Sequence, residues 1–285
     1  MPEIIPRIKT SIVLLIMGLL FASLVTVLVV GISSSGDKEV TISQFALLVG
    51  EVFLPVPVIF WAKRMKSNYK RFFRLKPVSQ ASFLSAIPLG IGLTIITDEL
   101  DRIAQMIHPV PEEFSQVNEI MTIKGPFSAL FIIGVVILLA PFVEEIVFRG
   151  FFQRVLEYRL KDATKAVLFS ALTFAIVHFN PWWVIQIYLI GLFLGYVAWR
   201  TNSIWISFLL HAMNNGVAVW FAHQTPGSIS WYEWRGHTSP FILIIGVFLF
   251  YVGIRLFISV TPISQRTEEV VNIEDVYNSS SKLTS

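Results

Sequence analysis

The sequence of 285 residues contains no cysteine. Disulfides, thiolate nucleophiles, Cys-ligated zinc and iron-sulfur clusters are therefore excluded. Charge is scarce too: Asp, Glu, Lys and Arg make up 14% of the chain, where a soluble domain carries roughly a quarter. That shortage argues against a soluble enzyme. Apolar residues take the space, at 54% of the chain with 24 Phe and 8 Trp, and the mean hydropathy is +0.68. Such a composition uses lipid as its main solvent. The net charge is only +3 despite a pI near 9.1. The basic residues fall in short clusters between apolar runs, as cytoplasmic loops do, and no nucleic-acid signal accompanies them.

Apolar stretches of this length can cross a hydrocarbon core ~30 Å thick as helices. The expected fold is an all-α polytopic membrane protein, a bundle of about eight transmembrane helices. The candidate spans are Ile12 to Ile32, Gln44 to Ala62, Phe83 to Thr97, Phe127 to Phe148 with a helical continuation, Ala163 to Phe179, Trp182 to Trp199, Ile204 to Ala222, and Phe241 to Ile258. They form an integral membrane domain over 1–262, followed by a polar tail over 263–285. The first run is too long for a signal-peptide core and has no clear cleavage site, so no removable signal is expected. Gly191 to Gly195 is a G-x-x-x-G, expected to pack helices within the bundle. No internal repeat is visible.

Orientation follows from the Lys and Arg residues, which favour cytoplasmic loops. Lys63, Arg64, Lys66, Lys70, Arg71, Arg74 and Lys76 follow the second span without an acid among them. The loop after the third span carries Asp98, Glu99, Asp101, Glu112, Glu113 and Glu119 against Arg102 and Lys124, which suits the far side. Arg154, Arg159, Lys161 and Arg200 mark further cytoplasmic turns. Both termini are expected in the cytoplasm, within a bacterial plasma membrane. Asn278-Ser279-Ser280 matches a glycosylation sequon but lies on the wrong side for it.

Ionisable groups inside a span are costly, so each is a functional candidate. The fourth span holds Glu144, Glu145 and Arg149, the fifth His178, and the seventh His211, Asn214 and Asn215. Glu145 and Arg149 are an i, i+4 pair on one helix face, with Glu144 turned about 100° away. One carboxylate can be held by the guanidinium while the other stays free. His211 and Asn215 share a face by the same spacing, as do Phe174 and His178. If the fourth helix continues to about Tyr158, Glu144 and His178 lie roughly 22 to 24 Å from a shared hairpin tip. His211 and Asn215 reach a similar depth from Arg200. Glu51, inside the second span, either lines the same cavity or satisfies a neighbouring helix. His108, His223 and His237 read as solvated, Phe174 as packing beside the site, and Asn214 as structural.

Two chemistries fit these residues. A carboxylate and an imidazole flanking a water can remove its proton and pass it to a leaving amine, while a second His and an Asn stabilise the oxyanion. Alternatively, His178, His211 and Glu144 can hold zinc with a bound water as nucleophile, although the H-E-x-x-H helix of many zinc proteases is absent. A transporter using intramembrane acids would place charges along a path through broken, repeated spans, whereas these form one cluster.

The motifs resemble those of the CAAX prenyl protease and bacteriocin-processing (CPBP) family of intramembrane proteases, the type II CAAX prenyl endopeptidases. Glu144-Glu145-Ile146-Val147-Phe148-Arg149 fits E-E-x-x-x-R, Phe174 to His178 fits F-x-x-x-H, and His211 to Asn215 fits H-x-x-x-N. All three occur in order within a core of about 126–222. The resemblance implies that Glu144 and His178 activate water, that His211 and Asn215 form the oxyanion pocket, and that Glu145 and Arg149 support them. It implies a membrane-associated peptide or protein substrate, prenylated or bacteriocin-like, beside membrane lipid. Members have been described both as metalloproteases and as metal-free glutamate-type proteases, and the metal-free form with no cofactor is favoured here. The alternative is a catalytically silent membrane scaffold or bacteriocin immunity protein.

Overall fold

A computed structural model describes residues 5–33, 39–111, 123, 125–225 and 227–262. Glu112, Glu113, Glu119 and Lys124, the tail from 263 onward and the Asn278 sequon lie outside the described residues. The chain is an all-α polytopic membrane protein. Its first helices are α1 (Ile8–Ser33), α2 (Glu39–Phe53), α3 (Val56–Arg64), the single turn α4 (Tyr69–Phe72) and α5 (Gln80–Ile107). Pro55 separates α2 from α3, since a proline has no N–H to continue the ladder. At that break Gly18 of α1 lets the chains touch: a Cβ there would stand 2.4 Å from the Leu54 carbonyl oxygen.

Helix α6 covers 126–160 without interruption but changes pitch along its length. Three α-helical segments, Pro126–Phe131, Ala140–Glu145 and Gln153–Leu160, alternate with two π-helical ones, Ile132–Leu139 and Ile146–Phe152. Pro141 follows the first wide segment, where its missing donor is easily absorbed. Lys161 then takes a left-handed conformation and Asp162 caps α7 (Ala163–Ile176) by accepting from the Lys165 N–H at 3.0 Å. That hydrogen bond holds the exposed Asp162 carboxyl below the ordinary carboxylate range. Helices α8 (Val184–Thr201), α9 (Trp205–Ala222) and α10 (Pro240–Val260) complete the bundle.

Six helical stretches among the described residues are long and apolar enough to cross a membrane: Ile8–Gly31, Gln44–Arg64, Gln80–Ile107, Ser128–Leu160, Val184–Thr201 and Pro240–Val260. The expectation of eight spans includes two more helices that do form but fall short of that standard. Helix α7 has 14 residues, about 21 Å of rise. Helix α9 has 18, diluted by His211, Asn214 and Asn215. On the outside of the bundle Leu20, Val27, Phe60, Leu130, Phe241 and Ile244 are each at least 66% exposed, as side chains in contact with lipid tails are.

The third span is longer than its apolar run implies. Asp98, Glu99, Asp101 and Arg102 are helical residues of α5, because charge ends hydrophobicity without ending a helix. They serve as the anchor of a small hairpin, β1 (Glu233–Trp234) paired antiparallel with β2 (His237–Thr238). Its turn, Arg235 and Gly236, has both φ values positive, as a tight two-residue turn demands. The Thr238 N–H and His237 Nδ1 meet the two Glu99 oxygens at 2.7 and 2.8 Å, Tyr232 donates to Asp98 at 2.9 Å, and Arg102 bridges Asp98 and Glu233. Burial, then the nearby Asp98 charge, pushes the Tyr232 phenol up. His108 and His223 are exposed, as expected, though His223 also accepts from the Ile123 N–H at 3.1 Å and His108 stacks on Trp182, while His237 is half-buried against Glu99.

Two apolar clusters hold the bundle. One joins α1, α3, α4 and α7 to α6 through Leu15, Val58, Phe72, Phe148, Phe151 and Phe174. The other joins α5, α8, α9 and α10 through Leu89, Leu194, Leu210 and Phe257. The polar site lies where α6, α7 and α9 meet.

Candidate active site

The Ala140–Glu145 segment lies between the two π-helical stretches and carries both acids at its end. Wide turns of this kind recur at functional sites, where they re-aim side chains. Glu145 and Arg149 are fully buried and joined at 2.8 Å. Arg149 also donates to the Gly191 carbonyl at 3.3 Å, and its guanidinium lies 4.1 Å from the centre of the Phe174 ring. Ion pair, carbonyl and ring face together replace the water this cation has lost.

His211 is 6% exposed and stands between the two acids. Its Nδ1 is 3.0 Å from Glu145 Oε1, and its Nε2 is 3.7 Å from Glu144 Oε2. Glu144 Oε2 is buried and has no hydrogen-bond partner. Glu145 is thus held through Oε1 by a guanidinium and an imidazole, while Glu144 has no such cation; the second oxygen of each carboxyl is buried without a hydrogen-bond partner.

His178 is placed differently from expectation. Helix α7 ends at Ile176, and His178 lies in the turn beyond it, followed by Phe179 in a left-handed conformation. The Asn180 side chain accepts from the Trp182 and Trp183 N–H groups at 3.1 Å, so this turn has its own cap and the span stops early. His178 Nδ1–H donates to the Phe174 carbonyl at 2.6 Å, leaving Nε2 as the other polar atom. The Phe174 ring stands edge-on to both imidazoles, 4.7 Å from His178 and 5.6 Å from His211. Asn215, one turn beyond His211, donates to the Val136 carbonyl of the first π-helical segment at 3.0 Å. The structure therefore gathers Glu144, Glu145, Arg149 and His211 directly, sets His178 across a phenyl ring, and has Asn215 on a backbone carbonyl one turn away.

The ligand set of two His and one Glu is not assembled in this arrangement. Among the described residues no three His, Asp or Glu side chains are placed to hold a metal ion. Both His211 nitrogens face carboxylates, and His178 has given Nδ1 to a carbonyl.

Three further residues belong to the support of the site. Glu145, Arg149, Gln153 and Glu157 recur every four residues and make a polar stripe down α6. Gln153 donates to Glu157 and to the Gly195 carbonyl, both at 2.9 Å, while Arg74, 2% exposed, binds Glu157, the Arg149 carbonyl and Asn202. Gly191 and Gly195 pack inside the bundle: a Cβ on Gly195 would meet the Gln153 Oε1 at 2.8 Å. The four-residue repeat signals Gln153 and Glu157 in the sequence; Arg74 has no such signal, since it arrives from a basic loop.

Residues 126–217 match the family model of the Type II CAAX prenyl endopeptidase Rce1-like proteins. Over this stretch the chain is similar to CAAX-type prenyl endopeptidases. No curated protein and no solved structure matches the chain. The Rce1-like stretch contains α6 to most of α9 with Glu144, Glu145, Arg149, His178, His211 and Asn215 but not Arg74, and its match supports a protease-type enzyme integral to the membrane. The first 125 residues lie outside it.

Proposed function

We propose that this protein is an intramembrane endopeptidase that hydrolyses a peptide bond of a membrane-associated, prenylated or bacteriocin-like substrate near the cytoplasmic face of a bacterial plasma membrane, without a metal. One observation carries the reading: a buried carboxylate oxygen, Glu144 Oε2, has no partner and lies 3.7 Å from an imidazole inside an Rce1-like domain. A buried acid left open at such cost is better explained by chemistry than by packing.

Water held by Glu144, with His178 at its other side, loses a proton to the carboxylate as its oxygen attacks the carbonyl carbon. The negative charge moves to the carbonyl oxygen, where His211 Nε2–H and the Asn215 amide donate to it. His211 supplies that donor in its doubly protonated form, with Nδ1–H on Glu145. Asn215 exchanges its bond to Val136 for the oxyanion. Collapse breaks the C–N bond, and Glu144 returns the proton to the departing amine. Glu145 and Arg149 fix the imidazole and touch no reacting atom.

The test is cleavage of prenylated and unprenylated peptides by purified protein in nanodiscs, with Glu144→Gln beside the wild type and with strong chelation. Cleavage that survives chelation and falls at least 100-fold in Glu144→Gln, within the range of lost acid-base catalysis, is the expected result. Loss on chelation with recovery on zinc overturns the metal-free mechanism, and full activity in Glu144→Gln overturns the assignment of the base. A protein that binds the peptides and cuts none is a scaffold or immunity protein.

A further inference from the structure

Away from the hydrolytic cluster, and sharing no residue with it, a cavity of about 460 Å³ lies where the first turn of α5 meets the ends of α8 and α10. Lys76, Ser79, Ser82, Arg200, Thr201 and Asn202 supply its polar wall, and among the described residues no acid lines it. Arg200 is half-buried there. Its Nε donates to the Thr261 hydroxyl at 2.8 Å, one terminal nitrogen to the Ile258 carbonyl at 3.0 Å and the other to the Tyr196 hydroxyl at 3.4 Å. All three acceptors are neutral, so none balances the charge, and a guanidinium has two N–H groups beyond the three used. By contrast Arg74, Arg102 and Arg149 each close on a carboxylate. Lys76 brings a second positive charge to the cavity from the loop before α5, and the Ser79 and Ser82 hydroxyls, 2.8 Å apart, add polar groups at the start of the helix. Such a wall has the chemistry to hold a phosphate.

The rim of the cavity says where that phosphate comes from. Leu256, Ile258 and Val260 are exposed on the last turns of α10, and Val260 also lines the cavity. The rim is therefore continuous with surface of the kind that meets lipid tails. We propose that this cavity is a binding site for an anionic phospholipid, with Arg200 and Lys76 on the phosphate oxygens and an acyl chain lying along α10. Basic pockets between membrane helices take such headgroups. A zwitterionic lipid fits poorly, because its own ammonium group enters a wall that already carries two cations. The bound lipid joins the ends of α5, α8 and α10, so it stabilises the folded bundle by mass action.

The test titrates delipidated full-length protein in detergent with phosphatidylglycerol or phosphatidylcholine and reads retained lipid by native mass spectrometry. Wild type is expected to hold phosphatidylglycerol in preference to phosphatidylcholine, and to unfold at a higher temperature with it. Arg200→Gln and Lys76→Gln are each expected to weaken retention by about fivefold or more, from the worth of one cation near a lipid phosphate, and to lose the thermal shift. Lys70→Gln removes an exposed charge from the same basic loop outside the cavity, and is expected to change neither. Arg200 also ties α8 to α10, so the unfolding midpoint without lipid is read for each variant, and Lys76→Gln decides if Arg200→Gln does not fold. Equal retention of the two lipids by wild type overturns the proposal, as does unchanged retention in a folded cavity variant. An equal loss in Lys70→Gln replaces the site by diffuse attraction to the basic loop and overturns it as well. Glycerol phosphate, an anion of the same class without acyl chains, is expected to leave the lipid in place; displacement at matching concentration assigns the cavity to a soluble phosphate and overturns the lipid. None of these readouts depends on peptide cleavage, so failure of the hydrolytic reading leaves them intact.

Discussion

Arg149 has every contact of a cation that cannot be removed singly. It is fully buried, paired with Glu145 and seated on the face of Phe174. Arg149→Leu leaves Glu145 as an uncompensated buried charge, and is expected to cost about 3–5 kcal/mol of stability, read as a lowered unfolding midpoint in detergent. Glu145→Leu combined with Arg149→Leu removes both charges and is expected to recover most of that loss; no recovery would show that the pair contributes through something other than charge balance. For Asn215→Ala the expectation differs: kcat falls about 10²–10³-fold with little change in melting, since the lost ground-state bond is a single one to the Val136 carbonyl. Equal losses in both would make Asn215 a structural tie. These residues were legible because helix geometry turns four-residue spacing into contact. Arg74 was not, since its partners lie 75 to 128 positions away and a loop sequence carries no trace of them. His178 was expected inside a span and lies beyond the end of its helix, because that exit depends on the local Phe179 and Asn180 turn.

At the scale of helices, hydrophobicity marks where lipid is, and hydrogen bonding marks where a helix is. The two disagree at α5, where Asp98 and Arg102 make an i, i+4 pair at 2.9 Å inside a continuing helix, and at α9, whose polar site residues thin its apolar run. The π-helical stretches of α6 left no mark in the pattern, because one extra residue per turn is a matter of tertiary fit. The tightest helix contact went unread for a similar reason. Helices α5 and α10 approach backbone to backbone, so that a Cβ on Gly253 would stand 2.3 Å from the Leu89 nitrogen and one on Gly92 2.3 Å from the Phe250 nitrogen. Neither glycine needs special φ; both need space. Gly253→Val forces the helices apart and is expected to cost at least about 1–3 kcal/mol, as overpacking does. Gly134→Ala, where a Cβ meets nothing within 4 Å, is the matched control and is expected to be neutral. Equal melting for the two variants would mean that the α5 and α10 contact does not limit stability.

On the scale of the whole molecule, the ends of the helices sort into two faces. The start of α9 meets the start of α5, with the Ile204 N–H on the Arg74 carbonyl at 3.0 Å and Ser203 on that of Lys76. After α9 the chain reaches the hairpin clasped by Asp98 and Glu99 at the other end of α5. Helix α9 therefore runs beside α5 through the same thickness, in keeping with the span expected from Ile204 to Ala222. The end of α10 returns to the first face, where Arg200 binds Thr261 and the Ile258 carbonyl. That face collects Arg74, Lys76, Arg159, Lys161 and Arg200, and from the bias of short loops we propose that it faces the cytoplasm, with the hairpin outside. The absence of native cysteine makes this directly measurable, since one introduced thiol is the only one present. Lys70→Cys and Ser230→Cys place it at exposed positions on the basic face and near the hairpin. In intact cells a membrane-impermeant thiol reagent is expected to label Ser230→Cys and to reach Lys70→Cys only after permeabilisation. The opposite pattern inverts the protein and moves the site toward the outer leaflet. Labelling of both in intact cells would mean that the two faces do not lie on opposite sides of the membrane, and that α5 and α9 do not span it together.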